Sequence, residues 1–400
     1  MDSSALESLR QDYWQRLLDD AVPFWLRHSL DRECGGYLTC LDRAGAPYGT
    51  DKAMWLQCRE VWLFAKLFNT VAPREEWLDA ARLGYQFVRA HGFDDDGRVF
   101  FSVTREGQPL RKRRYLFAET FAVIACAEYY RATGDEAALQ CARDTYRLLV
   151  RLYRTPGSLP PKVIPTTRQT IGLAMPMILM ATTQELRLAD SDSLYTEVVD
   201  EALDHILHRF LKRDERALHE TVGPRGEQLD SPEGRCVNPG HSIETAWFML
   251  HEAQHRGDAA LQASALEILD WSLQWGWDAE YGGLLYFVDV EGRPPEQLEW
   301  DMKLWWPHTE ALYATLLAYH LTGEERWAEW HLRLRDWALT HFADPEYGEW
   351  YGYLHRDGSV SNPAKGGMWK GAFHLPRGLW LCARLLDQMT GRAQGEIRKV

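Results

Sequence analysis

The run DAEYGGLLYFVDVEG, Asp278–Gly292, opens on an acid and a pair of glycines, continues through an alternating aromatic stretch, and closes on a charged residue and another glycine. Turn residues bounding a short alternating run mark a β-excursion. The chain repeats the pattern four more times, as DRECGGYLTCLDRAG (Asp31–Gly45), DDDGRVFFSVTREG (Asp94–Gly107), DERALHETVGPRG (Asp214–Gly226) and DPEYGEWYGYLHRDG (Asp344–Gly358). In chain order the leading acids stand 63, 120, 64 and 66 residues apart. The double gap has room for one further copy and contains the Pro/Gly-rich segment Thr155–Pro165. Six units of roughly 60–66 residues signal a repeat architecture rather than separate domains.

Between the excursions the apolar residues recur with a 3.6-residue period. Twelve helices are predicted, near 4–27, 51–70, 74–91, 115–133, 135–153, 170–188, 192–212, 241–256, 258–275, 303–322, 324–342 and 370–391. Hinges such as Ala132-Thr133-Gly134-Asp135 and Leu321-Thr322-Gly323-Glu324 favour antiparallel pairs. The period allows an open solenoid or a closed ring. No polar capping repeat is visible, and six equal units favour closure. The expectation is an all-α fold: an (α/α)6 barrel of six helical hairpins, with short β-hairpin excursions at one rim and residues 1–400 forming a single catalytic domain.

Composition narrows the function. Of 400 residues, 46% are hydrophobic and 26% charged, which excludes a disordered chain. Against 58 acids stand 45 bases, a net charge of −13 that argues against nucleic acid as a partner. Met1–Asp19 lacks the apolar core of a signal peptide. The longest apolar run, Ile171–Ala181, is interrupted by Pro176 and is about half the length of a membrane span. Seven scattered cysteines with no CxxC pair read as reduced thiols, so a cytoplasmic protein without a membrane partner is expected. Eighteen tryptophans suit the flat faces of sugars as well as large helical cores.

The even-numbered helices follow the long excursions, so their starts should meet at one rim. Those starts carry Trp55, Gln57 and Arg59; Tyr115 and Glu119; Asn238, His241 and Glu244; Lys303, Trp305, Trp306, His308 and Glu310; and Trp369, Lys370, His374 and Arg377. One histidine at a helix start is usually a core or capping residue. Three at comparable heights on three hairpins point to a shared site. Imidazole takes and returns a proton near neutrality, so two of them on opposite sides of a sugar could invert a carbon next to a carbonyl. Arg59 or Lys162 could stabilise the oxyanion that forms.

NPGHSIE (Asn238–Glu244), QLEWDMKLWWPHTEAL (Gln297–Leu312), FADPEYGEWYGYLHRDG (Phe342–Gly358), KGGMWKGAFHLPR (Lys365–Arg377), WLQCREVW (Trp55–Trp62) and YLTCLDRAG (Tyr37–Gly45) resemble the N-acylglucosamine 2-epimerase family, also called renin-binding protein, over nearly the whole chain. The resemblance implies an (α/α)6 barrel that interconverts N-acyl-D-glucosamine and N-acyl-D-mannosamine by moving a proton at C2 of the open-chain sugar. It implies His241 and His374 as acid and base, with Glu310 and Arg59 as essential partners and Lys162 as the match to a family lysine. His308, Glu244, Asn238, Trp306, Trp369, Arg377 and Glu119 complete the expected substrate-binding set. It further implies a homodimer and a small-molecule amino sugar as partner. No cofactor or metal enters the chemistry, and ATP is expected only as an allosteric activator.

The same histidines would serve a mannose 2-epimerase or a mannose/glucose aldose–ketose isomerase. An (α/α)6 glycoside hydrolase would instead use Glu244 and Glu310 as acid and base. A non-enzymatic binding partner is the third alternative. His251-Glu252-Ala253-Gln254-His255 spells HExxH, but no third histidine follows, Glu267 is the one candidate for a third ligand, and a solvated helix end is expected. Arg111-Lys112-Arg113-Arg114 reads as a solvated segment, or as a phosphate site for the activator. Gly366–Gly371 lacks the spacing of a phosphate loop.

Overall fold

A computed structural model describes residues 1–113, 115–161, 163–164 and 166–392. The first outer element runs through α1 (Ser3–Gln15), a π-turn (Arg16–Ala21) and α2 (Val22–His28). Then follow α3 (Met54–Thr70), α4 (Glu75–His91), α5 (Phe117–Thr133), α6 (Glu136–Arg154), α7 (Ala174–Leu186), α8 (Ser193–His205), α9 (Pro239–Arg256), α10 (Ala259–Gly276), α11 (Trp305–Thr322), α12 (Glu325–His341) and α13 (His374–Met389). Helices α3, α5, α7, α9, α11 and α13 pack each against the next as an inner ring. The outer ring is α1 on α13, α4 on α3, α6 on α5, α8 on α7, α10 on α9 and α12 on α11.

Sequence decides which helix goes where. An inner helix meets two neighbours, an outer helix and the lumen, so it must be apolar nearly all round. In α11 every residue from Trp305 to Ala318 is buried. Outer helices bury one stripe: α6 hides Ala138, Leu139, Ala142, Tyr146 and Leu149 and turns its charges outward. Tight hinges set the antiparallel pairs. Gly134, at φ +73°, ends α5 in the left-handed conformation, and Asp135 accepts from Ala137 N to open α6.

Five of the six inner helices start two to four residues later than their periodicity predicts, and α9 starts two residues earlier, at Pro239. Lys52–Ala53 and Lys303–Leu304 leave the helical path to pair with Ser102–Val103 and Tyr353–Leu354 of the following hairpins. These ladders tie each hairpin to its neighbour along one rim. The ion pairs do the same. Asp31, first residue of its hairpin, holds Lys52 and Arg105; Asp278 holds Lys303 and Arg356; Asp344 holds Lys365 and Arg43. Each acid thus binds a lysine of its own unit and an arginine of another hairpin, and the last of these links reaches back to the first hairpin. The inner seam closes through Trp62, whose ring centre lies 5.3 Å from Phe373 and 6.3 Å from Trp380. The main apolar core runs from Leu9 to Leu386, with a small second cluster of Ala217, Val237 and Val288 under the hairpins, and the fold is an (α/α)6 barrel.

Candidate active site

The starts of the six inner helices gather at the hairpin rim, which makes it the positive end of six helix dipoles. At α9, Asn238 caps the helix by accepting from His241 N at 3.1 Å, and Pro239 takes the first helical position, where its missing N–H costs nothing. Gly240 must be bare because a Cβ there would lie 2.5 Å from the Trp306 ring. His241 follows, its side chain 26% exposed, with Nδ1 2.9 Å from Glu220. Burial works against a charged imidazole here, but the Glu220 carboxylate outweighs it, with help from Glu244, and the pKa of His241 is raised.

Across the lumen His374 is the first residue of α13, and its Nδ1 lies 2.7 Å from Glu310 Oε1 on α11. Arg377, one turn along α13, bridges Glu310 at 2.7 Å and Glu244 at 2.9 Å, and Trp247 donates to Glu310 at 3.0 Å. Burial opposes the charge on Glu310, yet Arg377 and His374 hold its pKa down to about 2. Burial and the charge of Glu310 push Glu244 up to about 7, with Arg377 limiting the rise. His374 goes the other way: burial, aided by Arg59 and Arg377 against Glu310, lowers it to about 3. The two histidines are therefore driven in opposite directions. Against an ionised Glu310, the His374 proton sits on Nδ1 and the Nε2 lone pair is left available. Trp306 lies against both imidazoles, its ring centre 5.2 Å from His241 and 5.7 Å from His374.

Arg59 completes the group. Its guanidinium is sandwiched by Phe121 at 4.0 Å, Trp55 at 4.4 Å and Phe373 at 4.6 Å, and its buried Nε has no partner among the described residues. Burial, together with Arg377, lowers its pKa to about 9, which still leaves it charged at neutral pH. A buried cation with no carboxylate in contact among the described residues is prepared for charge that appears only during a reaction. Glu244, Glu310 and His374 could by distance surround a metal ion, their ligand atoms all lying within 4.8 Å of one another. Arg377 already occupies both carboxylates, and a cation would have to displace it.

The rim thus unites His241, His374, Glu310, Arg59, Glu244, Arg377 and Trp306. Trp369 stands at its edge, half exposed, 5.7 Å from Trp55. Three sequence expectations need correction. His308 does not line the lumen: it is fully buried, with Nδ1 2.7 Å from the Leu304 carbonyl, Nε2 accepting from Leu284 N, and Trp337 stacked on it. Glu119 also turns away, to Arg98 and Val99 N. Asn238, 1% exposed, serves as a helix cap. Lys162 lies outside the described residues. Glu220 and Trp247, which set the states of His241 and Glu310, were missed, and so were the rings of Phe121 and Phe373 that hold Arg59.

A larger cavity of about 680 Å³ opens at the opposite mouth, where the inner helices end, and the HExxH residues lie there. Glu252 is fully buried between Arg187 and Arg256, and His251 shares a hydrogen bond of 2.6 Å with Tyr313. The expected solvated helix end is in fact a buried ion pair, and neither His241 nor His374 lines that cavity.

Residues 36–375 match the family described as N-acylglucosamine 2-epimerase (GlcNAc 2-epimerase). The N-acylglucosamine 2-epimerase of Bos taurus is 39% identical over 396 residues, spanning 96% of this chain and 94% of the bovine one. That of Homo sapiens is 36% identical over 383 residues, spanning 94% and 90%. Among solved structures, cellobiose 2-epimerase from Bacillus thermoamylovorans B4167 superposes with a TM-score of 0.83 at 20% identity, covering 96% of this chain and all of the other. That likeness is one of fold.

Proposed function

The chain belongs to the N-acylglucosamine 2-epimerase family, and we propose that its proton transfers run between His241 and His374 on the two sides of one open-chain sugar. The enzyme is a carbohydrate epimerase that interconverts N-acyl-D-glucosamine and N-acyl-D-mannosamine. Opening the ring puts an aldehyde at C1 and makes the hydrogen on C2 acidic. His374, neutral and with Nδ1–H held by Glu310, takes that hydrogen on Nε2. The C2–H electron pair becomes the C1–C2 double bond, and the carbonyl pair moves onto O1, where the Arg59 guanidinium balances it. His241, whose charged form Glu220 favours, delivers a proton to the other side of C2, and the C1 carbonyl re-forms. The reverse direction exchanges the two roles. A proton leaves and a proton returns, so the atoms balance without an oxidant or reductant.

The observation that carries this reading is the pair of opposed environments: one imidazole is pushed toward its neutral form and the other toward its charged form, against the same indole. Two groups whose surroundings drive their pKa values apart make an acid and a base at one pH. The hydrolase alternative fits less well. Glu244 and Glu310 both bind Arg377, which occupies the carboxylates that a hydrolase would need as acid and base on the two sides of a glycosidic bond.

Cytoplasmic location, a homodimer and activation by ATP rest on the family resemblance; seven free thiols support the first. Turnover in D2O tests the chemistry. N-acetylmannosamine should acquire deuterium at C2 as N-acetylglucosamine appears, and His374→Asn should abolish that conversion. Deuterium and product from mannose alone would transfer the chain to the isomerase reading.

A further inference from the structure

Beside His241 lies a cavity of about 220 Å³ walled by Val99, Phe101, Phe117 and Ala118, with Trp55, Arg113, Tyr115 and Trp369 completing its lining. Its walls are mostly apolar, which is unusual for a place where a polyhydroxylated substrate reacts. The basic run before α5, expected to be solvated or to bind phosphate, divides in two. Lys112 pairs with Asp94 and Asp96 at 2.6 Å each, at the surface. Arg113 turns inward, its guanidinium 4.2 Å from the centre of Phe101 and 5.6 Å from that of Trp369, and its buried Nε has no hydrogen-bond partner among the described residues.

The geometry points to this cavity as the seat of the N-acyl group, with Arg113 donating to the acyl carbonyl oxygen and thereby selecting N-acylated over 2-hydroxy sugars. The inference rests on the proposed proton transfer between His241 and His374. The acyl nitrogen is bonded to C2, the carbon whose proton moves, so the acyl group has to lie next to a proton-transferring histidine. This cavity does adjoin one. Against Val99, Phe101, Phe117 and Ala118 a C2 hydroxyl would exchange water for groups that neither donate nor accept, leaving the polar atoms of Arg113, Tyr115, Trp55 and His241 in the lining to replace it. An acetamido group matches the lining instead, with a methyl for the apolar wall and one carbonyl for the Arg113 Nε–H. In the planar intermediate the C2 substituent stays in the plane while the proton changes sides, so one pocket serves both epimers.

Two variants test the assignment against the wild-type enzyme, with thermal melting to confirm folding. Arg113→Met should raise KM for N-acetylmannosamine roughly tenfold or more with a smaller change in kcat, as expected for loss of a charged hydrogen bond to bound substrate. Ala118→Leu should shorten the apolar end and cut kcat/KM for N-butanoylmannosamine roughly tenfold more than for N-acetylmannosamine. An Arg113→Met enzyme with unchanged KM, or an Ala118→Leu enzyme with an unchanged acyl-length profile, overturns the pocket assignment. A wild-type enzyme inactive on N-acetylmannosamine overturns the parent reading instead.

Discussion

Glu310 and His374, on adjacent inner helices and 64 residues apart in sequence, meet with carboxylate Oε1 2.7 Å from imidazole Nδ1. An ionised acid at that nitrogen fixes both the tautomer and the orientation of the ring, so the lone pair that does chemistry is always Nε2. Glu310→Gln keeps the shape and removes the demand. The amide can donate as well as accept, and the imidazole is then free to carry its proton on the wrong nitrogen. Arg377 keeps Glu244, so the fold should survive. The expected result is a loss of kcat of about 10²-fold or more, with parallel loss of deuterium exchange at C2. A loss smaller than about tenfold would deny Glu310 its orienting role.

His241 sets a pH dependence whose sign follows from its neighbours. Burial lowers its affinity for a proton, Glu220 more than restores it, and the net pKa lies above the ordinary imidazole value. In the direction where His241 donates, the rate therefore holds to that raised pKa and falls as pH climbs through it. His374, neutral down to about 3, contributes no limb near neutrality. Glu220→Gln removes the largest raising influence and leaves burial in charge, so the alkaline limb of kcat/KM should move to lower pH. The same proton stabilises the folded state below the unfolded imidazole's ordinary pKa, a contribution lost as pH rises through the raised value. A pH–rate profile that Glu220→Gln leaves in place would show that the limb belongs to another group.

The barrel was largely legible because its constraints are periodic. Inner helices are apolar nearly all round, outer ones on one stripe, and each hairpin repeats its Asp, Gly and closing charged residue. The site was legible where helical spacing places residues on one face. Trp55 with Arg59 and Trp306 with Glu310 are four apart, and His241 with Glu244 and His374 with Arg377 are three apart, so each pair shares a face. The same rule exposes two misreadings. His308 stands two residues from Glu310, and Glu119 two residues from Phe117 and Phe121, which is roughly 200° around a helix. If their neighbours face the lumen, these two must face the wall, and they do. Glu220 was out of reach because it comes from a hairpin tip, where no periodicity reports the direction of a side chain. Arg113 was hidden for a related reason: in a short non-helical stretch adjacent residues turn opposite ways, so a run of like charges does not have one destination.

Ring closure offers a test that leaves the chemistry untouched. Arg43 of the first hairpin binds Asp344 of the last at 2.8 Å, and Lys365 approaches the same carboxylate at 2.9 Å. Burial alone would raise the Asp344 pKa, but Arg43 and Lys365, with Tyr351, hold it far below the ordinary carboxylate range. A depressed carboxylate pKa stabilises the fold above the unfolded value and loses that contribution as pH falls through the folded one. Asp344→Asn should thus flatten the acid side of the stability curve. It should also cost about 3 kcal/mol at pH 7, because Lys365, fully buried, is left without its carboxylate partner. Arg43→Met should cost little, since that side chain is 40% exposed and its loss leaves the Asp344–Lys365 pair intact. Urea denaturation of both variants at pH 7 and pH 4 gives the ordering. If Arg43→Met proves the more damaging, the ring is held by its exposed clasp rather than by the buried lysine pair beneath it.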